Sequence, residues 1–326
     1  MKKFGSVLIT LVSLVVFAAS IFFILRQDDV IDWWLLREYE PPAEIAMLAE
    51  NTTMTELGER YFFVYQPTLL DRDTFRQSCT VAEKSIVLGC YVSRQGIYIY
   101  DVSDEQLSGI REVTAAHEML HVAYERLSAS ERERIDELNL AVYDQLDDER
   151  IRRTIQAYRD RDPKIVANEL HSILPTEVRN LDNPELEEYY AQYFEDRLAV
   201  VSFSEQYASV FIEARERVER LDGQLKQQRS EIELLQSTLD LQAASLEAER
   251  SRLNQLFEDE DFAAYNAGVD SFNANVQSYN QAINRLQSLI TEYNALVNER
   301  NAAVVSYESL TTSIDTRPPA TIDPLN

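Results

Sequence analysis

Glycine is scarce in this chain, seven in 326 residues, and histidine and cysteine are scarcer, at three and two. Few glycines beside abundant Gln, Glu, Arg, Leu and Ala exclude a loop-rich or collagen-like chain and point to a mainly helical one. Two cysteines without CxxC spacing support neither a zinc knuckle nor a dithiol redox motif. Positive charge is also short: 31 Lys+Arg stand against 56 Asp+Glu, a formal net charge of −25. Such a surface repels phosphate backbones, so no nucleic-acid partner is expected. Apolar residues are not short. At 45% a chain of this length can bury a core in one or two domains.

The amino terminus sets the expected compartment. Met1-Lys2-Lys3 precedes an apolar run, Val7 to Leu25, interrupted by Thr10, Ser13 and Ser20, close to the roughly 20 residues that span a bilayer core. Lys2 and Lys3 before the run, with Asp28, Asp29 and Asp32 after it, predict a cytoplasmic N-terminus and an extracytoplasmic body. A cleaved signal peptide is the rival, but its apolar region is shorter, about 7–15 residues. The run here continues through Ile21 to Leu25, past Ala18-Ala19-Ser20. The expectation is therefore a single-pass cell-membrane protein, with a retained anchor over 1–26 and a juxtamembrane linker over 27–42. Trp33, Trp34 and Tyr39 of that linker suit the membrane interface. Outside a reducing cytosol, Cys79 and Cys90 are expected to form a disulfide.

Between 43 and 183 the texture is mixed. Tyr61 to Tyr65 (YFFVY) reads as a strand, and Ile86 to Val92 with Ile97 to Val102 read as a hairpin turning at Ser93 to Gly96. Ser103 and Gln106 resemble a capping box opening a helix to about Leu127. Ser130 to Leu146 reads as a second helix. Asp162-Pro163 looks like a cap and first turn, starting a short helix that Pro175 is expected to end.

From Asn183-Pro184 onward a heptad repeat takes over. In the first arm Phe211, Val218, Leu225, Ile232, Leu239, Leu246 and Leu253 occupy the a positions. The d positions there include Leu221, Leu235 and Leu256, with Gln228, Gln242 and Glu249 as polar breaks. In the second arm the a positions run from Phe262 through Val269, Val276, Ile283, Ile290 and Val297 to Val304. Such a seam must find a partner. The phase jumps between Leu253 and Phe262, across the acidic break Glu258 to Asp261, which favours an antiparallel coiled-coil hairpin over a parallel dimer of one long helix. The expected layout is a mainly helical α+β chain: a domain over 43–183 with a small antiparallel sheet, a hairpin over 184–310, and an unstructured tail over 311–326.

Two of the three histidines lie in TAAHEMLH, residues 114–121. His117 and His121, four apart, project from one face of a helix and can grip one metal ion. Glu118 stands one position round, placed for a water on that ion rather than for ligation. Zinc lowers the pKa of a bound water towards 7, and a carboxylate can carry the released proton to a leaving amine. These are parts of metal-assisted peptide hydrolysis, compactly supplied by HExxH. The blander reading is an amphipathic helix whose stripe of Ile110, Val113, Leu120, Tyr124 and Leu127 simply packs its histidines. Histidine scarcity weighs against it. A catalytic zinc needs a third protein ligand, and PKIVANELHSIL, residues 163–174, offers Glu169 or His171. Both cannot ligate from one regular helix, since residues two apart point to opposite sides.

The pair of motifs resembles the gluzincin superfamily of thermolysin-like zinc metallopeptidases. Many of its members carry Asn-Glu-x-x-Ser on a second helix, and Asn168, Glu169 and Ser172 match it. The resemblance implies a zincin-like domain with one zinc ion held by His117, His121 and Glu169, with Glu118 as the catalytic base. His171 is the alternative third ligand. The Asp that follows Ser in the pattern is Ile173 here, so the partner it gives a ligand histidine must come from elsewhere, Asn168 being one candidate. His171, Tyr124 and Tyr158 are the candidate transition-state stabilisers. The family's substrates add in extended form to a strand before the HExxH helix, which implies Tyr98 to Tyr100 as the edge.

Two functions stand as expectations. One is a membrane-anchored extracytoplasmic zinc metallopeptidase acting on a peptide or protein substrate, with a protein partner on the coiled coil. The other is an envelope scaffold in which the coiled coil does the work and the metal site is vestigial or structural.

Overall fold

The computed structural model describes residues 17, 20, 26–79 and 86–317. They divide into two units: one runs to Ser209 and resumes at Thr312, and the other is Val210–Thr311. The apolar run Val7–Leu25 lies outside the described residues except for Phe17 and Ser20. Among the described residues no helix is long and apolar enough to cross a membrane.

The first unit opens with α1 (Gln27–Leu36), α2 (Ala43–Asn51), α3 (Glu56–Phe63), β1 (Thr68–Leu70) and α4 (Arg72–Ser78). β2 (Gly89–Val92), β3 (Gly96–Tyr100) and α5 (Ile110–Glu125) come next, then α6 (Ala129–Gln145), α7 (Glu149–Arg161), α8 (Val166–Glu177) and α9 (Pro184–Tyr190). The first turns of α10 (Arg197–Glu258) complete it. The expected linker 27–42 thus contains a helix. Around α5 the core gathers Phe62, Ile97, Ile99, Met119, Leu120 and Leu174.

The expected hairpin is present: β2 pairs antiparallel with β3, Cys90 opposite Tyr98. β1 adds in parallel on the other side, so the order is β1-β3-β2. Tyr98 to Tyr100 is therefore not an edge. β3 is paired on both sides, and β2 is the terminal strand on its side of the sheet. Cys79 and Cys90 form a disulfide, tying the end of α4 to β2.

Tyr61 to Tyr65 is the end of α3 and the turn after it, not a strand. Thr55 caps that helix, its hydroxyl accepting from the Gly58 amide at 3.2 Å. Gly58 and Phe62, a helical step of four, are the buried positions. Tertiary packing overrides the β-propensity of the aromatics here. The capping box expected at Ser103 is replaced by a 3-10 turn, Glu105–Leu107, capped by Asp104. Gly109, at φ 95°, then turns the chain into α5. A side chain there would meet Phe203 at 2.9 Å, so glycine is required by conformation and by space.

Pro175 does not end α8, which runs on to Glu177. The proline removes the amide that would bond the His171 carbonyl. The Tyr190 hydroxyl donates to that carbonyl instead, at 3.1 Å. The expected boundary at Asn183 falls inside the first unit, because Leu186, Tyr190, Phe194 and Val200 belong to its core. Nor does the chain lose structure at 311. α11 (Phe262–Ile314) continues, and the Thr316 hydroxyl accepts from the Val87 amide at 3.3 Å and donates to the Val87 carbonyl at 2.7 Å. Residues 318–326 lie outside the described residues.

The second unit is the outer part of α10 and α11 joined by a short turn at Asp259 to Asp261. Arg217–Glu299, Asp222–Arg300 and Glu231–Arg285 pair across the two arms. From Arg217 to Glu231 the numbering rises along α10 while the partners fall from Glu299 to Arg285 along α11, which is the signature of an antiparallel hairpin. In the first arm the less exposed positions match the expected a and d residues, with Leu239 and Leu253 buried. In the second arm the stripe is broader than expected. Leu289, Ala303 and Leu310 are its buried residues; Leu289 and Ala303 stand one position before the a residues Ile290 and Val304, and Ile290 is 38% exposed. A two-helix unit covers a face about 100° wide rather than a strict a/d seam, and the positions before a supply the extra width.

Candidate metal centre

α5 is the core helix of the first unit, enclosed on nearly every side; Val113, Ala116, Met119, Leu120 and Ala123 are all buried. Its two histidines are partly open. A turn apart, their Nε2 atoms stand 3.1 Å from each other. α8 packs along α5 and brings Glu169 Oε2 to 3.6 Å from His117 Nε2. Single ligand atoms of His117, His121 and Glu169 all lie within 4.8 Å of one another. Two imidazole nitrogens and a carboxylate oxygen form a donor set able to hold a divalent cation.

The groups around the three residues set their chemistry. His121 Nδ1 donates to Asn168 Oδ1 at 3.0 Å, with Ser172 Oγ at 3.3 Å. A proton on Nδ1 leaves Nε2 with its lone pair towards the cluster. Asn168 and Ser172 are thus the polar neighbours that α8 brings to His121. Burial pushes the Glu169 carboxyl up, but the His117 and His121 imidazoles and the Tyr158 hydroxyl outweigh it and hold Glu169 below the ordinary glutamate value. Glu169 Oε2 is buried without a hydrogen bond, an orphaned acceptor of the kind a cation satisfies.

Glu118 lies beside this cluster, 4% exposed. Its carboxylate rests against β2: a side chain added at Gly89 would meet Glu118 Oε1 at 2.6 Å and Thr114 Cγ2 at 2.5 Å. Gly89 therefore sets the position of Glu118, a role that the sequence reading missed. Its one signal was a glycine inside the otherwise apolar strand run Ile86 to Val92, which marks close backbone approach.

His171 is not among the gathered ligands. It is fully buried on another side of α8, its Nε2 2.8 Å from the Tyr189 hydroxyl, with its ring among Tyr124, Tyr189 and Tyr190. Burial pushes its pKa down to about 3. Residues two apart on a helix cannot share a target, and α8 gives the cluster to Glu169. Tyr124 is committed as well, its hydroxyl donating to the Asp136 carboxylate at 3.0 Å. Burial and Asp136 both push that phenol up. Of the expected stabilisers, Tyr158 alone touches the cluster, through Glu169. Compared with protein-family models, curated proteins and solved structures, the chain matches none.

Proposed function

We propose that this protein is a membrane-anchored, extracytoplasmic zinc metallopeptidase of gluzincin type. One observation carries the reading: His117, His121 and Glu169 gather their ligand atoms within 4.8 Å, with Glu118 adjacent on the same helix. Two of the three ligand separations suit zinc. Bonds of about 2.05 Å at tetrahedral angles put ligand atoms about 3.3 Å apart, and the separations of 3.1 Å and 3.6 Å bracket that edge.

Bound there, zinc would lower the pKa of a water and polarise a carbonyl. The protein's own part is to position and to carry a proton. Asn168 holds His121 in the tautomer that ligates, and Tyr158 and Glu169 share a hydrogen bond that fixes the carboxylate. An extended peptide can pair with the outer edge of β2, the strand that backs Glu118. Water oxygen adds to the scissile carbonyl carbon, the C–N bond breaks, and Glu118 carries the proton from water to the leaving nitrogen.

The test is metal content and peptide cleavage of the purified protein, wild type against Glu118→Gln. One zinc per chain in both, with cleavage reduced about 10²–10⁴-fold in the variant, is the expected result. No bound metal in either protein would overturn the reading.

The scaffold reading draws on a different observation, the separate unit Val210–Thr311 with its own seam and cross-arm ion pairs. Replacing that unit by a short flexible linker separates the two. Cleavage retained in the excised protein makes the hairpin an accessory to an enzyme; zinc-free, inactive protein before and after excision makes it the working part.

A further inference from the structure

α1 buries one acid, Asp32, and exposes both of its tryptophans, Trp33 and Trp34. Asp32, 1% exposed, accepts both guanidinium nitrogens of Arg126 at 2.6 and 2.9 Å. Arg60 stands 3.6 Å from Asp29 and 3.9 Å from Asp32. Arg126, which directly succeeds α5, also lies over the Tyr61 ring, 4.5 Å from its centroid. This buried pair bolts one face of α1 to the folded unit, so the opposite face is fixed outward.

That outward face is read off by helical steps of three and four: Arg26, Val30, Trp33, Trp34 and Arg37. Trp33 is 68% and Trp34 57% exposed, an unusual display for two indoles in a folded protein. Arginines stand at both ends of the patch, Arg26 paired with Asp29 at 2.8 Å and Arg37 5.5 Å over the Trp34 ring. Two indoles exposed side by side suit the headgroup boundary of a bilayer, where the rings sink to the acyl boundary while Arg37, paired with Glu38 at 3.1 Å, and Arg26 stay at the wet edge. The chain also says what covers the face. The apolar run Val7–Leu25 ends one residue before Arg26, so lipid anchored by that run meets this helix first.

We propose that α1 lies in the lipid–water boundary of a bilayer, with Trp33 and Trp34 inserted and the Asp32–Arg126 pair holding the folded unit against it. The proposal rests on the anchoring half of the functional reading and not on its chemistry.

Trp33 and Trp34 are the two tryptophans of the chain, so its indole fluorescence reports this face alone. The full-length protein is reconstituted in phosphatidylcholine vesicles and floated on a density gradient. Its emission is then compared in lipid brominated near the headgroup end and near the far end of the acyl chains. Trp33→Phe and Trp34→Phe variants read each ring separately. Flotation with stronger quenching by the shallow bromines at both rings is the expected result. Flotation without quenching overturns the inference and leaves the anchor standing; it is also the result if the face docks a protein. Failure to float overturns the anchor and the inference together.

Discussion

The two units bury charge and polarity in opposite ways. In the first, charged groups go inside with partners: Asp32 on Arg126, and Arg197 on Glu187 and on the carbonyls of Pro175 and Val178. In the hairpin, the cross-arm ion pairs sit at the rim with half of each side chain in water. Its interior holds apolar residues and two glutamines, Gln228 and Gln242, whose Oε1 atoms are buried without a hydrogen-bond partner. A unit that must place particular groups uses paired polarity as scaffolding. A unit that must only hold two helices together uses a stripe.

That contrast is open to direct measurement, beginning with the largest effect. Asp32→Asn leaves the largely buried Arg126 guanidinium without its counter-charge and is expected to destabilise the first unit by about 3–5 kcal/mol. Arg285→Met, which removes an exposed hairpin ion pair, is expected to cost less than about 1 kcal/mol. Equal losses in denaturant melts would erase the distinction.

Core truncation sharpens it next. Leu120→Ala, at a site with no exposure, is expected to cost about 2–5 kcal/mol. Leu241→Ala, at 72% exposure on α10, should stay within about 0.5 kcal/mol. A large loss at Leu241 would mean that a partner covers that face.

A gain is expected from the hairpin's own defect. Gln228→Leu removes an orphaned acceptor from the seam and should stabilise the hairpin by about 1 kcal/mol. A loss there would show that the glutamine has a partner in solution.

The smallest effect is a matter of pH. Glu131 closes a capping box with Ser128, and the Ser128 hydroxyl and amide hold its carboxyl below the ordinary glutamate value. A depressed folded pKa stabilises above the unfolded value, and the gain is lost as pH falls through the folded one. The stability difference between wild type and Glu131→Gln should therefore be present at pH 7, begin to shrink as pH falls past the ordinary glutamate value of about 4.3, and vanish below the depressed folded value. A difference that persists in acid would assign it to something other than the carboxylate.

How much of this was legible beforehand differs along the chain. The first arm's seam could be read residue by residue, including its polar breaks, because a helix pairing with its neighbour turns sequence period directly into burial. The second arm's broader stripe was not, since a/d counting ignores the flanking position. His117 and His121 were legible because spacing four fixes a shared helix face; spacing left Glu169 and His171 both open, and only the resemblance carried by Asn168 and Ser172 favoured Glu169. Gly89 was not legible as the backing of Glu118. Its contact joins β2 to α5, and no local rule links a strand glycine to a carboxylate on a later helix.

By itself the sequence determined the features that local period and composition dictate: helical character, the β2–β3 hairpin, the two-arm repeat, and two imidazoles on one face of α5. Only tertiary structure decided which strand is central, that YFFVY is helical, that α8 runs through Pro175, and that Glu169 rather than His171 meets the imidazoles. Those outcomes depend on contacts between elements far apart in the chain, such as Tyr190 on the His171 carbonyl and Asp32 on Arg126. Neither partner's local pattern encodes the other.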